Sequence, residues 1–240
     1  MAESKVDRMI EKDAEQVKED DEKLEAKSNK FFLLGVVAII LILAGLFGFG
    51  AFFEEKPQTI DDLHNMNLEG KLDKEAGFVY NGFSFVFFDG LWHTTTSTPS
   101  GDTVFDVYFH NAPQQVQTIP VLGELNKTKF DANEEILVTF DPIGTDLQYV
   151  ALAVSKFDST IIKVFGKKPV AACDKNETDA CIGRPIVNCD STEDSVLYII
   201  QEDEPEVRLD ENCIMVVGTR DDLVRSMERL LYLLYGIMER

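Results

Sequence analysis

The sequence predicts an α+β chain in which one apolar helix precedes a single globular domain. Three observations carry that expectation. Residues Phe31–Phe53, FFLLGVVAIILILAGLFGFGAFF, run for 23 positions without a charge, Asn, Gln, His or Pro. From Phe78 onward, short aromatic and β-branched runs are separated by turn residues, the pattern of antiparallel strands. Later in the chain, two stretches carry apolar residues at helical spacing, one around Val150–Phe165 and one from Arg220 to Met238.

Residues 1–30 hold 7 basic and 10 acidic residues and neither Gly nor Pro. Val6, Ile10, Val17 and Leu24 make a thin apolar stripe that Asp13, Asp20 and Asp21 interrupt. That falls short of the sustained a/d pattern of a coiled coil, so a charged, partly helical head is expected. At about 1.5 Å per helical residue the run 31–53 covers roughly 35 Å, enough to cross a hydrocarbon core of about 30 Å. It is expected to be a transmembrane signal anchor whose partner is the lipid bilayer. Lys18, Lys23, Lys27 and Lys30 precede it, whereas Glu54, Glu55 and a single Lys56 follow, which puts the head in the cytoplasm and the rest outside. The run is too long for a usual cleaved signal core, so an uncleaved anchor is expected.

Residues 54–77 are polar and interrupted by Pro57 and Gly70, and read as a stalk or linker with one short helix around Ile60–Met66. The domain proper is expected over 78–240. Phe83–Phe88 and Leu91–Thr96 flank Asp89-Gly90, a hairpin signal. Thr103–Phe109 alternates as a third strand with Phe105, Val107 and Phe109 on one face. Asn111–Asn133 reads as a loop-rich insertion and Glu135–Phe140 as the fourth strand. Thr145 or Asp146 can cap the helix that follows, with Val150, Val154, Phe157, Ile161, Val164 and Phe165 at helical spacing. Lys163, Gly166 and Pro169 mark its end. With Pro169–Ala172 extended, this makes a β-α-β unit with parallel neighbours. Ser195–Gln201 and Cys213–Val217 are two further strands, separated by an acidic loop, EDEPEVRLDEN. The chain closes on a helix, Arg220–Met238, with Thr219 as N-cap and Leu223, Met227, Leu230, Leu231 and Leu234 as its buried face.

All four cysteines, Cys173, Cys181, Cys189 and Cys213, lie after the apolar run. No C-x-x-C occurs and none stands near a histidine, so disulfides in an oxidising compartment are expected rather than zinc. Four cysteines allow three connectivities. Of these, Cys173 with Cys181, closing a short loop, and Cys189 with Cys213 are taken as the expectation. Two N-x-T sequons, at Asn126 and Asn176, are glycosylation candidates and agree with an outside location.

The stretch ACDKNETDACIGRPIVNC, followed by NCIMVVGTRDDLVRSMERLLYLLYGIM, resembles uncharacterised single-pass membrane proteins of archaea. The similarity extends from Phe78 to Met238. It implies an archaeal cell-surface setting and carries no assigned activity, so it transfers no catalytic or binding residue.

Composition and motifs narrow the function further. The residues after the apolar run hold 16 basic and 33 acidic side chains, a net charge of −17. A field of that sign repels phosphate backbones and anionic lipid surfaces, which argues against nucleic-acid binding. His64, His93 and His110 are far apart in sequence and belong to no metal-ligating spacing. No P-loop, G-x-G-x-x-G or G-x-S-x-G is present, so no catalytic residue, metal site or cofactor is assigned. The acidic runs at 190–194 and 202–210 lack the pattern of a calcium loop. One place is a candidate ligand site: Asp141, at the carboxyl end of the fourth strand, with Gly144 and Asp146 at the start of the helix, where open α/β sheets bind ligands. The expected function is a membrane-anchored extracytoplasmic protein with a non-enzymatic binding or structural domain that contacts envelope components or other copies of itself. The alternative is a tethered hydrolase or metal-dependent enzyme whose site assembles from residues distant in sequence.

Overall fold

A computed structural model describes residues 35–43 and 59–240. The chain divides into two units at Lys56/Pro57. In the first, residues 35–43 are helical (α1) with exposed side chains. The head at 1–30, the remainder of the expected anchor and the start of the linker lie outside the described residues. Among the described residues, no helix is long and apolar enough to cross a membrane.

The second unit is α+β. It opens with α2 (Ile60–Leu68), the short helix expected within the linker. Thr59 and Asp62 form a reciprocal capping box, each side chain accepting from the other's backbone N–H at 3.1 Å. This helix does not stand in a free stalk. The amide of Asn67 donates to the carbonyls of Phe78 and Phe85 (2.9 and 3.2 Å), fixing α2 on the outer face of the first sheet.

That sheet is a four-stranded antiparallel meander of β1 (Gly77–Tyr80), β2 (Phe83–Phe88), β3 (Leu91–Ser97) and β4 (Val104–Phe109) in sequence order. Asp89-Gly90 makes the expected tight hairpin, with φ of 50° and 79°. Asn81-Gly82 makes another, with φ of 47° and 85°, and adds β1, a strand not anticipated. Positive φ at both central positions matches the twist of the flanking strands. Period-two alternation sends Phe105, Val107 and Phe109 to the inner face, as expected, and leaves Val104, Asp106 and Tyr108 exposed.

The second sheet has six strands in the order β5-β9-β10-β8-β6-β7: β5 (Val121–Leu125), β6 (Glu135–Phe140), β7 (Lys168–Ala171), β8 (Ser195–Ile200), β9 (Glu206–Glu211) and β10 (Cys213–Val217). β6, β7, β8 and β10 are mutually parallel, whereas β9 meets β10 antiparallel. The expected β-α-β unit is β6, α5 (Leu147–Lys163) and β7. Gly166 ends α5 in the left-handed region (φ 65°). Pro169 sits inside β7, where a missing N–H is tolerated because β7 is an edge strand.

Two corrections concern segments read as loop. Asn111–Asn133 contains α3 (Pro113–Val116), β5 and α4 (Lys127–Ala132). The acidic stretch between β8 and β10 contains β9, whose Val207 and Leu209 are buried between exposed or half-buried polar neighbours. A further difference lies at the end of the chain. α6 (Arg220–Leu234) stops short of Met238, because Gly236 turns left-handed (φ 68°) and the N–H groups of Ile237 and Met238 return to the carbonyl of Tyr232.

α5 and α6 pack on each other and on one face of the mixed sheet, and the inner face of the meander closes over them. Tyr232 of α6 is the pivot, stacking on Phe109 at 4.1 Å and meeting Phe85 edge-on at 6.0 Å. One core thus joins both sheets and both helices. The opposite face of the mixed sheet is covered by the cysteine-bearing loop instead of a helix. Leu137, Val196 and Cys213 are buried there beneath Val187 and Cys189.

Candidate functional site

The sequence-derived site lies where β6 has β7 on one side and β8 on the other, at the carboxyl ends of parallel strands. The fold brings Asp141, Gly144 and Asp146 together there, but in self-contained roles. Asp141 Oδ1 accepts the N–H of Ile143 at 2.9 Å, forming the turn, and Oδ2 lies 3.5 Å from Lys175 Nζ. Gly144 sits against the Gln201 side chain, which donates to the carbonyl of Thr145. Asp146 takes the N-cap position of α5 in the left-handed region (φ 53°), and neither it nor Thr145 caps the helix by side chain. Its carboxylate instead meets Arg220 Nε at 2.9 Å, pinning the start of α5 to the start of α6. The Arg220 hydrogen bond holds the Asp146 carboxyl below its ordinary range.

Beside this turn, the Tyr198 hydroxyl donates to Asp174 Oδ2 at 3.1 Å. Burial and the neighbouring Asp174 charge push the phenol up to about 12. Tyr198 is therefore a neutral donor across the working pH range. Among the described residues, no group of three or more His, Cys, Asp or Glu side chains is placed to hold a metal ion.

Each histidine has a local partner. His64 Nδ1 meets Ser84 Oγ at 2.9 Å, and burial lowers its pKa. His93 lies between the rings of Phe88 and Tyr108, each 6.1 Å away. His110 donates its backbone N–H to Glu228 at 2.7 Å.

Glu228 is the polar centre that the sequence did not announce. It is fully buried on α6 and accepts from the backbone N–H groups of His110 and Asn111 and from the Asn111 amide (2.7, 2.9 and 2.8 Å). Lys156 of α5 lies 3.0 Å away and also faces the rings of Tyr108 and Phe109. Burial pushes the Glu228 carboxyl up, but the donors and the Lys156 ammonium outweigh it and hold the pKa below its ordinary value. No local signal in the sequence marks it, since a Glu beside Arg229 on an amphipathic helix reads as part of the solvated face.

The four cysteines pair as Cys173–Cys181 and Cys189–Cys213, and among the described residues no free cysteine remains. The second bridge ties the covering loop to β10 in the middle of the sheet. Of the two sequons, Asn126 is engaged as the N-cap of α4, its Oδ1 accepting the Lys129 N–H at 3.2 Å, whereas Asn176 is exposed on the loop closed by Cys173–Cys181.

A surface groove of about 1030 Å³ opens at one end of the meander. Its wall is aromatic: Trp92 meets Phe78 and Phe87 at 4.9 and 5.0 Å, and Phe87 is exposed. His110, Gln114 and Gln115 rim it from the α3 side. Aromatic faces bounded by a few polar groups suit a binding surface.

No family model matches this chain, and neither does any curated protein or solved structure.

Proposed function

We propose that the chain is a single-pass membrane protein of an archaeal cell surface, anchored by Phe31–Phe53, whose C-terminal domain is a non-enzymatic binding module outside the cell. The observation that carries this reading is the pairing of all four cysteines within the one domain that follows the apolar run. Disulfides persist in oxidising compartments and are rare where thiols are kept reduced. The lysine asymmetry across the run supports the same orientation.

The aromatic groove at Phe78, Phe87 and Trp92 is the binding face in this reading, and envelope components are its partners. Aromatic anchors at a groove supply contact area at low conformational cost. A membrane-impermeant amine reagent tests the topology. In intact cells it should modify Lys127 and Lys163 of the domain, and it should reach Lys18 to Lys30 of the head only after lysis. Head lysines modified in intact cells, with domain lysines protected, would reverse the orientation.

A further inference from the structure

Among the described residues, Arg229 is a buried cation without a counter-charge. It lies on α6 and is 3% exposed. Its Nε donates to the carbonyl of Ile119 at 3.3 Å and its Nη2 to the carbonyl of Glu239. Nη1 is buried and has no partner, and among the described residues no carboxylate pairs with the group. A guanidinium removed from water, with unmatched N–H groups and no opposite charge, is costly unless something supplies both.

The place where that could happen is already shaped. Arg229 lines a cleft of about 670 Å³ between the β1–β2 turn, the segment 117–121 and the last residues of the chain. That volume falls within the roughly 300–1,000 Å³ of small-molecule sites. Tyr80 and Asn81 stand on one side, Gln117 and Thr118 on another. Asn81 donates to the carbonyl of Ile237 at 3.0 Å and so holds the C-terminal turn against the meander. The second cation lining the cleft, Arg240, already meets Glu124 at 3.2 Å, so among the described residues Arg229 is the lining cation without a carboxylate partner.

We propose that Arg229 and this cleft bind a small organic monocarboxylate, with the carboxylate on the guanidinium and the organic part against Tyr80 and Met238. One unmatched cation favours one negative charge, and the net −17 beyond the apolar run disfavours multiply charged anions. The planar guanidinium matches a carboxylate in geometry as well as charge. Glu239 and Arg240, both exposed, line the mouth of the cleft beside Arg229.

The test uses the full chain in detergent, titrated with acetate and benzoate at constant ionic strength, with inorganic phosphate and chloride as controls. A monocarboxylate should raise the melting temperature saturably and shift the Arg229 side-chain nitrogen resonances of the wild-type protein. Arg229→Met should weaken that effect at least tenfold. An Arg229 resonance unmoved by either monocarboxylate overturns the proposal even if the variant fails to fold. Undiminished binding by Arg229→Met, or tighter binding of phosphate, overturns it as well.

Discussion

Lys156 Nζ on α5 lies 3.0 Å from Glu228 Oε1 on α6, with the two side chains 7% and 0% exposed. The pair joins three elements, because Lys156 also donates to the carbonyl of Tyr108 on β4 (3.3 Å) and Glu228 also holds the two backbone N–H groups that follow that strand. Removing one partner leaves a buried charge unmatched, which costs about 3–5 kcal/mol. Lys156→Met should therefore lower unfolding free energy in urea by that amount. Glu228→Gln leaves the Lys156 ammonium unmatched and sets an amide NH2 against N–H donors, so it should cost a similar amount. A loss below about 1 kcal/mol for Lys156→Met would show that the pair is not a structural tie.

The same carboxylate gives the fold an acid limit. Glu228 has a folded-state pKa below its ordinary 4.5, so its contribution to stability is present above that value and declines as pH falls through the folded-state pKa. Urea midpoints should hold steady from neutral pH to about 5 and drop below about 4.5. In Glu228→Gln the drop over that window should be shallower, and an unchanged profile would assign it to other carboxylates.

The two disulfides should differ in weight. Cys189–Cys213 spans 24 residues and Cys173–Cys181 spans 8. Loop entropy alone gives roughly 3.5 and 2.5 kcal/mol respectively. The longer bridge also holds the loop that covers Leu137 and Val196, so its loss uncovers a second apolar cluster. Cys189→Ala with Cys213→Ala should lower the melting temperature more than Cys173→Ala with Cys181→Ala, and should increase binding of an apolar dye.

A pair of glycines separates backbone need from chance. Gly123 on β5 has φ 75°, and a Cβ there would run into the carbonyl of Leu209 on β9. Gly101 has a similar φ of 78° and open space around it. Gly101→Ala should cost about 1 kcal/mol from its conformation alone, whereas Gly123→Ala should cost several-fold more and release β5, seen as faster amide exchange at Val121–Leu125.

These elements also show what the sequence could reveal. Asp89-Gly90 and the helical spacing from Val150 to Phe165 are local signals, and both elements stand where they were expected. Asn81-Gly82 is an equally local signal, but the strand before it, Gly77–Tyr80, is four residues long, too short to show an alternation, and begins at the expected linker boundary. β9 is hidden because its polar positions, Glu206, Arg208 and Asp210, are all charged and lie in an acidic stretch, which masks the alternation of Val207 and Leu209. At the candidate site, the spacing of Asp141, Gly144 and Asp146 correctly located the end of a parallel strand. That Asp146 would bond Arg220, 74 residues away, is a tertiary fact that no local pattern encodes. Glu228 and Arg229 were invisible for the same reason: what defines them is the set of partners that long-range packing supplies or withholds.

The central claim, a disulfide-stapled domain outside the membrane, is tested most directly by a membrane-impermeant maleimide applied to intact cells before and after an impermeant reductant. The account predicts no labelling of Cys173, Cys181, Cys189 or Cys213 without reductant and labelling of all four after reduction and mild unfolding, with the cells still sealed. Labelling without reductant, or labelling that appears only once the cells are lysed, would contradict it.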